Sequence, residues 1–157
     1  MFPELERILI SRERIAVRVA ELGQEIADDF AQRLDAEGED AGSADRVVIV
    51  PIMAGAMVFT ADLIRHMQIK LRLELLAVSS YPGSATRSKG AQLASELTAD
   101  LTGKHVLIVD DILDSGQTLR LVRDLLHERG AASIRAAVLL DKQGVDRVAP
   151  PEGHEFA

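Results

Sequence analysis

The run His105-Val106-Leu107-Ile108-Val109-Asp110-Asp111-Ile112-Leu113-Asp114-Ser115-Gly116-Gln117-Thr118 changes character twice. Its first five residues, apolar after the opening histidine, suit a strand buried on both faces of a parallel sheet. At Asp110-Asp111 the strand ends in two carboxylates, and Asp114 follows three residues later. Ser115-Gly116-Gln117-Thr118 then opens a helix predicted over 117–129, with Leu119, Val122, Leu125 and Leu126 inward and Gly130 as its C-cap. Small residues at a helix start let backbone N–H groups approach an anion, and the helix end adds a partial positive charge. Ser and Thr hydroxyls add donors. One segment thus sets a phosphate cradle beside acids that suit sugar hydroxyls and hydrated Mg²⁺.

The flanking sequence repeats the alternation of strand and helix. Downstream, Ser133 to Leu140 reads as another strand. Upstream, Val47-Val48-Ile49-Val50-Pro51-Ile52 is a wholly apolar, mostly β-branched run. It leads into a turn, Met53-Ala54-Gly55-Ala56, and a helix over 58–67 with Val58, Leu63 and Met67 among its apolar positions. Leu71 to Val78 reads as one further strand. Ser79 to Ala91 is rich in small residues without apolar periodicity, and its length points to a functional loop. Near the start, Ser11 can cap a helix beginning at Arg12. Its apolar positions Ile15, Val19, Leu22, Ile26 and Phe30 recur at spacings of three and four. Ala36 to Asp45 reads as a loop. The fold class is therefore α/β, with a mainly parallel sheet flanked by helices. In such sheets ligands sit beyond the carboxyl ends of the strands.

The chain of 157 residues suits one domain, 1–157. A net charge of −7 and 3% aromatic residues argue against a nucleic-acid binder. No apolar run approaches the length of a membrane span. The chain has no cysteine, which excludes disulfides and thiolate chemistry and agrees with a cytoplasmic protein. The four histidines, His66, His105, His127 and His154, show no metal-ligand spacing.

Apolar strand followed by Asp-Asp also occurs in P-loop NTPases, but Gly103-Lys104 is followed by His105, and Thr98 stands where the first glycine of that motif belongs. A phosphoacceptor aspartate would leave the small-residue loop unexplained. The segment instead resembles the PRPP signature of the type I phosphoribosyltransferases. That pattern is four apolar residues, two acids, two apolar residues, Asp, Thr or Ser, Gly, any residue, Thr; every position matches. The resemblance implies a Rossmann-like core binding 5-phosphoribosyl-1-pyrophosphate (PRPP). Asp110 and Asp111 would approach the ribose hydroxyls and, through water, the shell of an Mg²⁺ cofactor. Asp114 would be the catalytic base near purine N7. Asp114, Ser115, Gly116, Gln117 and Thr118 would hold the 5′-phosphate.

Within that family the chain looks like the hypoxanthine-guanine branch, and the likeness covers nearly the whole chain. Val50 to Arg65 is similar to the pyrophosphate loop, Met53-Ala54-Gly55, and its following helix, which ends Phe-x-x-Asp-Leu-x-Arg. Ser80-Tyr81 resembles the pair on a mobile loop that closes over the reacting centre and excludes water. Leu139-Leu140-Asp141-Lys142 resembles the strand end that sets a lysine on the purine 6-oxo group, with Ile112 also at the purine. The implied activity is purine salvage: hypoxanthine or guanine plus PRPP giving IMP or GMP and pyrophosphate. The resemblance also implies a homo-oligomer, dimer or tetramer. Two rivals are a phosphoribosyltransferase for xanthine or a pyrimidine, and a non-catalytic PRPP- or nucleotide-sensing homologue. Two departures stand out. Ala54 replaces a lysine frequent in the pyrophosphate loop, which implies weaker pyrophosphate binding. The C-terminal purine-hood portion, with its stacking aromatic, is expected to be missing after Phe156-Ala157.

Overall fold

A computed structural model describes residues 8–38, 46–79, 92–93 and 97–144. The N-terminal helix α1 runs from Arg12 to Ala36, and the Ser11 hydroxyl accepts the Arg14 N–H at 3.3 Å as its cap. Strand β1 (Val47–Met53) leads through a turn into helix α2 (Met57–Leu63), which tightens into a 3₁₀ turn at Ile64–His66. Two short strands follow, β2 (Arg72–Leu73) and β3 (Leu76–Ser79), and then β4 (Gln92–Leu93). Strand β5 (His105–Leu113), helix α3 (Gln117–Glu128) and strand β6 (Ser133–Asp141) complete the described order.

The expected α/β architecture is what forms. Among the described residues the sheet order is β4-β3-β1-β5-β6, with β2 also paired to β1. Every pairing is parallel except that of β3 with β4. The apolar runs follow from cover on both faces. Val47, Ile49, Leu107 and Val109 pack with Phe30, Leu34, Phe59 and Leu63 from α1 and α2. Val48, Val50, Val106 and Ile108 pack on the other face with Leu119, Val122 and Leu126 of α3. Each fully buried side chain of this size contributes roughly 1.5–3 kcal/mol. Gly130, at φ +79°, closes α3 as its spacing implied, with its N–H on the His127 carbonyl at 3.0 Å.

Four expectations are corrected. The single strand over 71–78 is two strands on one edge of β1; between them the Glu74 N–H turns to the Ile49 carbonyl at 3.0 Å and its carboxylate pairs with Arg72. Val58 is 71% exposed, and the inward position belongs to Phe59. The helix begun there ends at Leu63 rather than reaching Met67, although Met67 is buried. Strand β5 does not end at the acids: it continues to Leu113, because β6 offers ladder partners that far, Asp110 opposite Val138 and Ile112 opposite Leu140.

Candidate active site

The carboxyl ends of β1, β5 and β6 form one rim of the sheet. Along that end of β5 burial falls off: Asp110 is 9% exposed, whereas Ile112, two residues on and on the same face of the strand, is 43% exposed. Burial pushes the Asp110 carboxyl up to about 6, and the neighbouring Asp111 charge adds to the rise; the Asp111 N–H, donating to Asp110 Oδ1 at 3.0 Å, opposes it.

Past Leu113 the chain leaves the sheet through Asp114-Ser115-Gly116. Gly116 takes φ +78°, a left-handed turn that glycine tolerates without a Cβ clash, and it sits at the N-cap of α3. No side chain caps that helix start, and its first turn holds no acid. Its amide groups and partial positive charge are therefore left to an incoming anion. They border an open hollow of about 260 Å³ lined by Asp110, the residues from Ile112 to Gln117, Thr118 and Leu119.

Two other segments reach this rim. The turn after β1 carries a cis peptide between Met53 and Ala54, and it brings Gly55 against Asp111: a Cβ built on Gly55 would lie 2.6 Å from Asp111 Oδ2. From the end of β6, the Lys142 N–H donates to the Leu113 carbonyl at 3.1 Å. The Lys142 ammonium stands 3.2 Å from Asp114 Oδ1, both side chains about half exposed.

The structure thus gathers Met53, Ala54, Gly55, Asp110, Asp111, Ile112, Asp114, Ser115, Gly116, Gln117, Thr118 and Lys142 along one rim. Ser80 and Tyr81, with the loop that carries them, lie outside the described residues. What the sequence could not supply is contact: nothing in the spacing of Gly55 and Asp111, or of Asp114 and Lys142, says that they touch. For the second pair the parallel register of β5 and β6, with Leu113 opposite Asp141, is the physical cause.

The donor set at the rim is oxygen. Among the described residues no cluster of three or more His, Cys, Asp or Glu is placed to hold a metal ion. Two adjacent carboxylates instead fit Mg²⁺, which keeps several waters and takes other ligands from a phosphorylated substrate. No helix among the described residues is long and apolar enough to cross a membrane.

Comparison with known proteins points the same way. The family model described as "Phosphoribosyl transferase domain" matches residues 18–149. The hypoxanthine-guanine phosphoribosyltransferase of Streptococcus pneumoniae is 33% identical over 139 residues, covering 88% of this chain and 71% of the relative. The hypoxanthine phosphoribosyltransferase of Haemophilus influenzae is 35% identical over 144 residues, covering 92% and 75%. Among solved structures, hypoxanthine phosphoribosyltransferase from Trypanosoma cruzi in complex with the product IMP superposes with a TM-score of 0.80 at 31% identity, covering 98% of this chain and 80% of that one. The Staphylococcus aureus hypoxanthine phosphoribosyltransferase superposes with a TM-score of 0.77 at 30% identity, covering 96% and 75%.

Proposed function

The chain belongs to the phosphoribosyl transferase family, and on that premise we infer that it is a purine-salvage enzyme transferring the 5-phosphoribosyl group of PRPP to hypoxanthine or guanine. The observation that carries the base assignment is the Lys142–Asp114 pair, 3.2 Å apart beside the hollow. A 6-oxopurine presents O6 and N7 side by side on one edge. A cation and a carboxylate at this separation address both at once: the ammonium donates to O6, and the carboxylate accepts the N7 proton. Adenine places an amino group where the ammonium would donate, leaving two donors opposed.

In the proposed reaction the purine N9 forms a bond to the ribose anomeric carbon as that carbon's bond to the pyrophosphate oxygen breaks. The bonding pair leaves with pyrophosphate, and the N7 proton passes to the Asp114 carboxylate. Ser115, Gly116, Gln117 and Thr118 hold the 5′-phosphate through backbone N–H groups and hydroxyls at the uncapped start of α3. Asp110 and Asp111 orient the ribose hydroxyls. The turn Met53-Ala54-Gly55 presents backbone to the pyrophosphate. Asp110 and Asp111 would hold Mg²⁺ through water, and the ion would supply charge neutralisation to the departing pyrophosphate. A cytoplasmic homo-oligomer completes the same reading.

The test is product formation from PRPP and Mg²⁺ with hypoxanthine, guanine, xanthine, adenine and uracil in parallel. Turnover with hypoxanthine or guanine, lost when EDTA removes the metal, is the expected result. If no base turns over while PRPP or a nucleotide still binds, the enzyme assignment falls.

A further inference from the structure

We propose that Gly55 is a positioning residue for Asp111, because only a residue without a Cβ leaves the Asp111 carboxylate its place at the rim. A Cβ on Gly55 would meet Asp111 Oδ2 at 2.6 Å, Cγ at 2.8 Å and Oδ1 at 2.9 Å. Backbone freedom is not the reason for the glycine, since Gly55 is absent from the glycines with positive φ. An alanine could adopt the conformation; it would collide with the acid.

What yields in such a collision decides the consequence. The turn cannot retreat easily. The Ala56 N–H is bonded to the Ile52 carbonyl at 3.2 Å, the Met57 N–H to the Ala54 carbonyl at 3.2 Å, and the Thr60 N–H to the Ala56 carbonyl at 2.8 Å. Ala56 itself is fully buried. The Asp111 backbone is equally fixed, lying between the ladder pairs Asp110–Val138 and Ile112–Leu140. Two fixed backbones leave only the Asp111 side-chain torsions free. The carboxylate would swing away, at small cost to the fold and large cost to its aim. Gly55 therefore sets where the acid stands relative to the turn. On the reading proposed above, the acid addresses ribose and hydrated metal while the turn addresses pyrophosphate, so the contact fixes the relative position of two substrate-binding parts.

Gly55→Ala is expected to raise KM for PRPP about tenfold and to lower kcat/KM by up to about 100-fold, the scale on which a small misplacement acts, with little change in Tm. The same substitution in an Asp111→Ala background, where there is nothing left to displace, should cost less than about twofold more. An undiminished loss in that background overturns the proposal. Ligand-free crystal structures of the wild type and Gly55→Ala decide it without reference to substrate: a displaced Asp111 carboxylate supports it, and an unmoved one overturns it. A wild-type chain that does not use PRPP would thus sink the functional reading and leave this one still decidable. If Gly55→Ala does not fold, folding restored in Gly55→Ala/Asp111→Ala supports the steric account, and failure to restore it refutes it.

Discussion

Strand β5 buries a polar side chain at its first residue and another toward its carboxyl end, and the two are treated in opposite ways. At the amino end, His105 is 3% exposed and fully engaged: its Nδ1 lies 2.8 Å from the Ser133 hydroxyl and its Nε2 3.3 Å from the Glu37 carboxylate. Glu37 also takes Arg46, and the Phe30 ring lies 6.4 Å away, centroid to centroid. At the carboxyl end, Asp110 is nearly as buried, yet no cation pairs with it among the described residues, and its neighbour is a second carboxylate. Groups at the amino end satisfy one another and serve the fold. At the carboxyl end an acid is held in an unfavourable setting that a substrate or metal would relieve, which is how functional sites commonly differ from structural ones.

If that contrast is real, substitutions at the rim should lower activity and those at the opposite end should lower stability. The largest effect is expected for Asp114→Asn. Removing the proposed base should cut kcat by about 10²–10⁴, while Tm holds, because the side chain is 56% exposed. A comparable fall in Tm would break the comparison. Lys142→Ala should reduce kcat/KM for hypoxanthine and guanine roughly 10- to 100-fold, the value of a charged hydrogen bond, and should not lower any residual rate with adenine, whose opposed donor it removes. Steady-state kinetics on all three bases read this directly. An equal loss on adenine would show that Lys142 acts on Asp114 rather than on the purine.

The fold class was legible because β1 is apolar throughout and β5 from Val106 to Val109, and only a strand covered on both faces needs that. The rim was legible because acids, small residues and a helix start follow one another within Asp110–Thr118. Less was legible where local chemistry does not decide. Arg72–Leu73 and Leu76–Ser79 are one run by composition, and the break at Glu74-Leu75 comes from how they share the edge of β1. The acids fall within β5 because β6 keeps pairing with it. His105 looked like an unremarkable strand-start residue, since its partners Glu37 and Ser133 are 68 and 28 residues distant. Contact between Gly55 and Asp111 likewise depends on two strands lying side by side.

At the amino end, His105→Ala should destabilise the fold by about 1–3 kcal/mol, because it removes a buried ring and leaves Ser133 and Glu37 without it. Guanidinium unfolding measures the loss, and kcat per folded molecule should not change. A fall in kcat at constant stability would place His105 in the working site and erase the distinction between the ends.

The most direct test of the setting of Asp110 is its pH dependence. The folded pKa of this carboxyl is raised from the ordinary 3.8 to about 6. Between those values the folded chain holds a proton that the unfolded chain has released. Stability from this group is therefore complete below about pH 4, falls as pH rises through the window, and is fully lost above about pH 6. The shift from 3.8 to about 6 corresponds to roughly 3 kcal/mol. Asp110→Asn cannot ionise and so escapes the loss. In EDTA, the variant should match the wild type near pH 3 and exceed it by roughly 3 kcal/mol at pH 7. Carboxylates away from Asp110 titrate in both proteins and cancel in the difference. If the two proteins keep the same stability difference at both pH values, Asp110 is as well satisfied as His105, and the two ends of β5 do not differ in kind.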